Sequence, residues 1–256
     1  MKNIIIGNTG LIGKTICEKI YFDYKFNSSN INEIKTLKNK KINKLFLSCL
    51  PAQKYLINKN IIEDIKNIVN IIEIIKEIEP KEIILISTID VYCESKILSN
   101  EDCVPNFKTL NYGSNRYLFE KLIKKTFNNC SVKIFRLPAL FNKYIKKNIL
   151  YDILNNNNIE QINANSCYQW YDLNDLYDDI IFFTSNFKNS DTYNLFTEPI
   201  ETVFLLEEVF NYKKINLFSN RIEYNFKTKF FDSGYILNKS IVIKKIKEFV
   251  NGYSNK

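Results

Sequence analysis

The sequence has no histidine, one tryptophan, one methionine, five prolines and only six glycines in 256 residues. Six cysteines are present (Cys17, Cys49, Cys93, Cys103, Cys130, Cys167), but none form a CxxC pair, and without histidine no common zinc set can be completed. They are expected to be reduced thiols, with no metal bound. No apolar run reaches the roughly 18 residues that a membrane span requires, and no signal peptide precedes the first apolar segment, so a cytoplasmic protein with no membrane partner is expected. Internal repeats and flexible linkers are also missing. The formal charge of +8 comes from lysines that are dispersed among carboxylates, a pattern of solvated helix faces and not of a nucleic-acid stripe. Isoleucine, asparagine and lysine abound as they do in proteins from A/T-rich genomes, so runs such as Asn155 to Asn158 are not a prion-like tract.

The scarcity of glycine makes its distribution informative. Three of the six lie in Gly7-Asn8-Thr9-Gly10-Leu11-Ile12-Gly13, directly after the apolar run Ile4-Ile5-Ile6. Leu11, Ile12, Ile16 and Ile20 then fall on one helix face, so the segment reads as strand, tight turn, helix. In such a unit the first glycine permits the turn, the second leaves no Cβ against a pyrophosphate and the third allows close helix packing. The helix N-terminus offers amide donors to phosphate. Gly7 to Gly13 are therefore candidate dinucleotide-binding residues.

The remaining chain alternates strand and helix. A short strand over 21–27 ends in Asn27-Ser28, with no acidic residue to hold an adenosine ribose, which favours NADP over NAD. Lys44 to Cys49 is a buried-type strand, and Cys49, Leu50 and Pro51 after it suit a wall facing the cofactor. Ile61 to Ile78 is an amphipathic helix closed by Pro80. The apolar segment from Glu82 to Tyr92 is expected to be one strand that delivers Ser87 and Thr88 at its carboxyl end, where open α/β sheets bind ligands. A helix from Tyr112 to Phe127 and a strand from Val132 to Phe141 with a proline stop complete the rhythm. A parallel, doubly wound Rossmann-like α/β sheet over residues 1–142 is expected, followed by a small C-terminal substrate-binding lid over 143–256 that partly returns to the sheet. Within the latter, Ile200 to Phe210 and Ile236 to Val250 read as helices.

Three segments together resemble the extended short-chain dehydrogenase/reductase family of nucleotide-sugar epimerases, dehydratases and reductases: Gly7-x-x-Gly10-x-x-Gly13, Ser87-Thr88-Ile89-Asp90-Val91-Tyr92, and Tyr112-Gly113-Ser114-Asn115-Arg116 followed by Glu120. The resemblance covers roughly residues 1–200. It implies Tyr112 as proton donor and acceptor, its pKa lowered by the neighbouring cation, and Thr88 as the hydroxyl that orients the reacting oxygen. Arg116 stands where the family has lysine, and it is neither as compact nor able to give up its proton. The resemblance further implies dinucleotide contacts from Ser87, Tyr112, Arg116, Leu137 and Pro138, and nucleotide-sugar contacts from Thr88, Lys143, Lys147, Asn148 and Trp170. The family's 4,6-dehydratases follow the threonine with Asp-Glu; here Ile89-Asp90 follows, which favours reduction or epimerisation over elimination. A homodimer through helices near 61–78 and 118–127 is also implied. The alternative is a dinucleotide-binding protein of the same fold that has lost turnover.

Overall fold

The computed structural model describes residues 2–96, 98–212 and 216–254, which form two compact units. Unit 1 comprises residues 1–95, 104–136 and 177–193; unit 2 comprises 96–103, 137–176 and 194–256.

Unit 1 is built on a sheet. Strand β1 (Lys2–Ile6) buries Ile4, Ile5 and Ile6 completely, as an unbroken apolar run must when both faces of a parallel sheet are covered. Helix α1 (Leu11–Lys19) leads to β2 (Tyr24–Phe26), and β3 (Ile42–Leu47) follows. Helices α2 (Lys54–Lys59) and α3 (Ile61–Ile75) come next, with Ile68, Ile71, Ile72 and Ile75 of α3 buried at three- and four-residue spacing. Strand β4 (Pro80–Thr88), helix α4 (Tyr112–Thr126) and strand β5 (Ser131–Leu137) complete the series. The sheet order is β2-β1-β3-β4-β5 with Thr192–Asn194 as the last strand, and β1 pairs in parallel with both β2 and β3. This is the Rossmann-like, doubly wound topology. Because the chain departs from β1 to one side and then returns to the other, the crevice at the carboxyl end of β1 is the topological switch point.

Three local expectations are corrected. The apolar segment 82–92 is not one strand: β4 ends at Thr88, whose Oγ1 accepts the Asp90 N–H at 3.2 Å and caps a single 3-10 turn over Ile89–Tyr92. Helix α3 stops at Ile75, three residues earlier than expected, because the chain must unwind ahead of Pro80. Residues 200–210 form a two-residue strand, Ile200–Glu201, then one helical turn that widens over Leu205–Val209.

Unit 2 has two small ladders: Ala139–Phe141 runs parallel to Trp170–Asp172, and Cys167–Tyr168 runs antiparallel to Ile200–Glu201. Its irregular segments are held by buried side chains. Gln169 donates to the carbonyls of Thr197 and Phe226 and accepts from Phe226 N. Glu101 accepts from Asn194 N, Thr228 Oγ1 and Lys229 N. The C-terminal helix spans Lys239–Ser254.

Candidate active site

The turn after β1 is shaped by excluded side chains. Gly7 has φ +97°, and a Cβ there would sit 2.3 Å from the Ser48 carbonyl oxygen; one on Gly13 would sit 2.1 Å from the Gly7 carbonyl oxygen. Gly10 differs: its nearest neighbour would be 3.4 Å away, so its missing Cβ leaves room on the open side of the turn. No side chain caps α1 and no acidic residue occupies its first turn, which leaves its leading amides and positive dipole end available to an anion.

A cleft of about 360 Å³ opens beside this turn. Of the expected dinucleotide residues, Gly7, Thr9, Gly10, Asn27, Ser28, Cys49, Leu50 and Pro51 line it. Leu11, Ile12 and Gly13, the first residues of α1, and Asn8 are not in the cleft's lining, and the buried Oδ1 of Asn8 has no partner among the described residues. Such an orphaned acceptor beside an amide cradle fits a ligand carrying hydroxyl or amide donors. Burial pushes the Cys49 thiol up to about 12, so it serves as a neutral wall and not as a nucleophile. Asn67 and Asn70 of α3 also line the cleft and were not expected. Their spacing of three, beside Ile71 and Ile74, was visible in the sequence as two polar positions on an otherwise isoleucine-rich face. The cleft lining contains neither a carboxylate nor a cation.

The second part of the site lies at the end of β4. Helix α4 begins with a reciprocal capping box between Asn111 and Ser114, and Asn58 of α2 accepts the Tyr112 N–H at 2.7 Å. A Cβ on Gly113 would fall 2.0 Å from the Asp90 carbonyl oxygen, so the helix start seats directly on the turn that follows Thr88. Tyr112 is buried, with the Thr88 hydroxyl and the Arg116 guanidinium near enough to act on its titration. Expectation and structure part here: burial raises the Tyr112 pKa, and Asp90 adds to the rise, against the opposing pull of Arg116 and Thr88.

Arg116 is committed elsewhere. Its Nη1 and Nη2 meet the two carboxylate oxygens of buried Asp64 at 2.8 and 3.2 Å, and Nη2 also donates to the Pro51 carbonyl at 2.7 Å. Asn115 donates to the same carboxylate at 2.8 Å. The guanidinium therefore lies 4.5 Å from the Tyr112 ring centroid as one half of an ion pair tying α4 to α3. Ser87 likewise serves the scaffold. Its Oγ donates to Glu120 at 2.5 Å, and Glu120 is held by Arg136 through bonds of 3.0 and 2.6 Å.

The remaining expected residues lie in unit 2. Leu137 is buried at the end of β5, and Pro138 separates it from Ala139–Phe141. The Asn148 side chain is spent locally, donating to Leu140 O at 2.7 Å and accepting Tyr151 N–H at 3.0 Å as a helix cap. Lys143 lies 4.9 Å from the Tyr144 ring centroid, and burial lowers the Lys147 pKa. Trp170 is fully buried in the ladder, with its indole N–H lacking a partner among the described residues.

No family profile and no curated protein matches the sequence. Solved structures do match. A UDP-galactose 4-epimerase aligns with a TM-score of 0.75 at 12% identity, over 100% of this chain and 99% of that one. A dTDP-4-dehydrorhamnose reductase from Clostridium acetobutylicum aligns at 0.73 and 16%, over 99% and 100% of the two chains. An NAD-dependent NDP-hexosamine 5,6-dehydratase of tunicamycin biosynthesis aligns at 0.74 and 12%, over 100% and 99%. The chain thus shares the fold of these solved structures. Among the described residues no helix is long and apolar enough to cross a membrane.

Proposed function

We propose that this chain is an NAD(P)-dependent oxidoreductase or epimerase of the cytoplasm acting on a nucleotide-linked sugar. Tyr112 gives or takes the proton at the reacting oxygen, and Thr88 orients that oxygen. The observation that carries the reading is the Tyr112–Thr88 hydroxyl pair at the end of β4, in the same unit as a turn whose amides and missing side chains suit a pyrophosphate. The dinucleotide would supply hydride transfer at its nicotinamide. The residues present fit it: the cradle would receive the pyrophosphate, and Asn27 and Ser28 would lie toward the adenosine ribose, without a carboxylate to repel a 2′-phosphate. A raised pKa keeps Tyr112 protonated, as a donor to a developing alkoxide must be. Lys143 and Lys147 are assigned to the diphosphate of the sugar nucleotide. The exposed positions Ile62 and Val69 of α3 suit a homodimer contact.

A second reading, a dinucleotide-binding protein without turnover, draws on one observation. The cation in the place of the family's lysine is neutralised by Asp64. Calorimetry with NADP and NAD, thermal-shift measurements that include duplex DNA, and turnover of a keto-sugar nucleotide panel separate the readings. Turnover by the wild type that Tyr112→Phe abolishes supports the enzyme. Cofactor binding with no turnover across the panel supports the second reading, and stabilisation by DNA alone overturns both.

A further inference from the structure

Arg116 cannot give up its proton and is held by Asp64, yet the site does contain another cation. Helix α2 places Lys54 and Asn58 one turn apart on the same face. Asn58 takes the backbone N–H of Tyr112 at 2.7 Å, while Lys54 Nζ meets Asp90 Oδ1 at 2.6 Å. The other oxygen of that carboxylate, Oδ2, accepts from Thr88 Oγ1 at 3.4 Å. A threonine hydroxyl has one proton to donate. Here two acceptors face it, the Asp90 carboxylate and the Tyr112 oxygen. An unpaired carboxylate would win that competition and turn the proton away from the reacting centre.

We propose that Lys54 supplies the site's working cation in place of Arg116: by engaging Asp90 it weakens the hold of that carboxylate on the Thr88 hydroxyl and frees its proton to face Tyr112 and the substrate oxygen. Lys54 is thus a positioning residue that acts through Asp90 and Thr88. The inference rests on the oxidoreductase reading but concerns different residues from those that define it. No bond is made or broken in this step; one hydroxyl proton changes its acceptor.

The groups facing Tyr112 set the expected pH behaviour. They are Arg116 on its own helix, with Asp64 of α3 behind it, Asp90 on the turn after β4, with Cys93 beside Gly113, Thr88 itself, and Lys54 from α2 through Asp90. Removing Lys54 takes away the cation that meets Asp90 at 2.6 Å and should raise the Tyr112 titration. Removing the Asp90 charge should lower it. Reduction needs the protonated tyrosine, so activity is present below its pKa and lost above. In Lys54→Met the alkaline limb of kcat/KM should move up and kcat should fall with KM nearly unchanged. In Asp90→Asn the limb should move down, and in the double variant it should return close to wild type.

The same shifts are read without turnover by labelling tyrosine Cζ with ¹³C and following the resonance that Tyr112→Phe removes. Asp90→Asn should titrate at lower pH than wild type, and Lys54→Met should stay un-ionised to higher pH. Lys54→Arg, which keeps the charge, should behave as wild type. Titrations that do not move, that move in the same direction in both single variants, or a Lys54→Met that loses cofactor affinity along with activity, would overturn the proposal. A silent wild type with the resonance shifts intact would defeat the oxidoreductase reading alone.

Discussion

The Arg116–Asp64 pair is the most exposed point of the argument, because it turns an expected catalytic cation into a strut between α3 and α4. Asp64 is 7% exposed and Arg116 5%, and the carboxylate accepts two bonds from Arg116 and one from Asn115. Replacing Asp64 with alanine leaves the buried guanidinium without its counter-charge, bonded only to the Pro51 carbonyl, and the Asn115 amide nitrogen with only the Ile61 carbonyl, a defect that costs about 3–5 kcal/mol. For a chain of this size each kcal/mol lowers the melting temperature by about 2–4 °C, so calorimetry should record a loss of about 6–20 °C. The control is the paired replacement Asp64→Leu with Arg116→Met, which removes both charges and fills the space. It should recover most of the loss, since a buried ion pair adds little over apolar packing of similar volume. Asp64→Asn adds a catalytic consequence: with the guanidinium no longer neutralised, its pull on Tyr112 grows and the alkaline limb of reduction should move to lower pH. A melting temperature of Asp64→Ala within about 2 °C of wild type, or a double variant as unstable as the single ones, would refute the strut.

Three further outcomes are expected. Gly10→Ala should fold normally, its Cβ 3.4 Å from the nearest atom, yet lose dinucleotide affinity by calorimetry, whereas Gly7→Ala should fail to fold stably because its Cβ would enter the Ser48 carbonyl; equal affinity in Gly10→Ala and wild type would contradict the cradle. Because burial holds the Tyr112 pKa above the ordinary tyrosine value, the rate of reduction should stay level through neutral pH, and stopped-flow profiles that fall there would count against the assignment. Ser28→Asp should weaken NADP binding while sparing NAD, since it brings to the cleft the carboxylate that the end of β2 lacks; unchanged selectivity would mean that the ribose lies elsewhere.

Legibility in the sequence followed the reach of each physical constraint. The glycine turn could be read because a positive φ and two forbidden Cβ positions dictate residue type within seven consecutive residues. The pairing of Thr88 with Tyr112 rested on the family resemblance, since Thr88 ends β4 while Tyr112 opens α4 after a loop of more than twenty residues. The partner of Arg116 could not be read. Asp64 lies 52 residues away, and only the packing of α3 on α4 brings it close. The lowered tyrosine pKa expected from the Arg116 charge failed for a related reason, because burial depends on neighbours that no local pattern reveals. The roles of Ser87 and Asn148 were hidden too: a strand-end hydroxyl and a loop amide look alike whether they face a ligand, the buried Glu120 or their own backbone.

The cleft beside β1 is bounded by neutral side chains and by two positions, Gly7 and Gly10, where a Cβ is absent, with no charged side chain in its lining. A site of that kind is specified by the path of the backbone more than by the letters of the sequence. Mutational drift toward isoleucine, asparagine and lysine can therefore pass through nearly every surrounding position without changing what the cradle offers a phosphate. What drift cannot touch is the trio of glycines, and a chain with only six in all has kept half of them there.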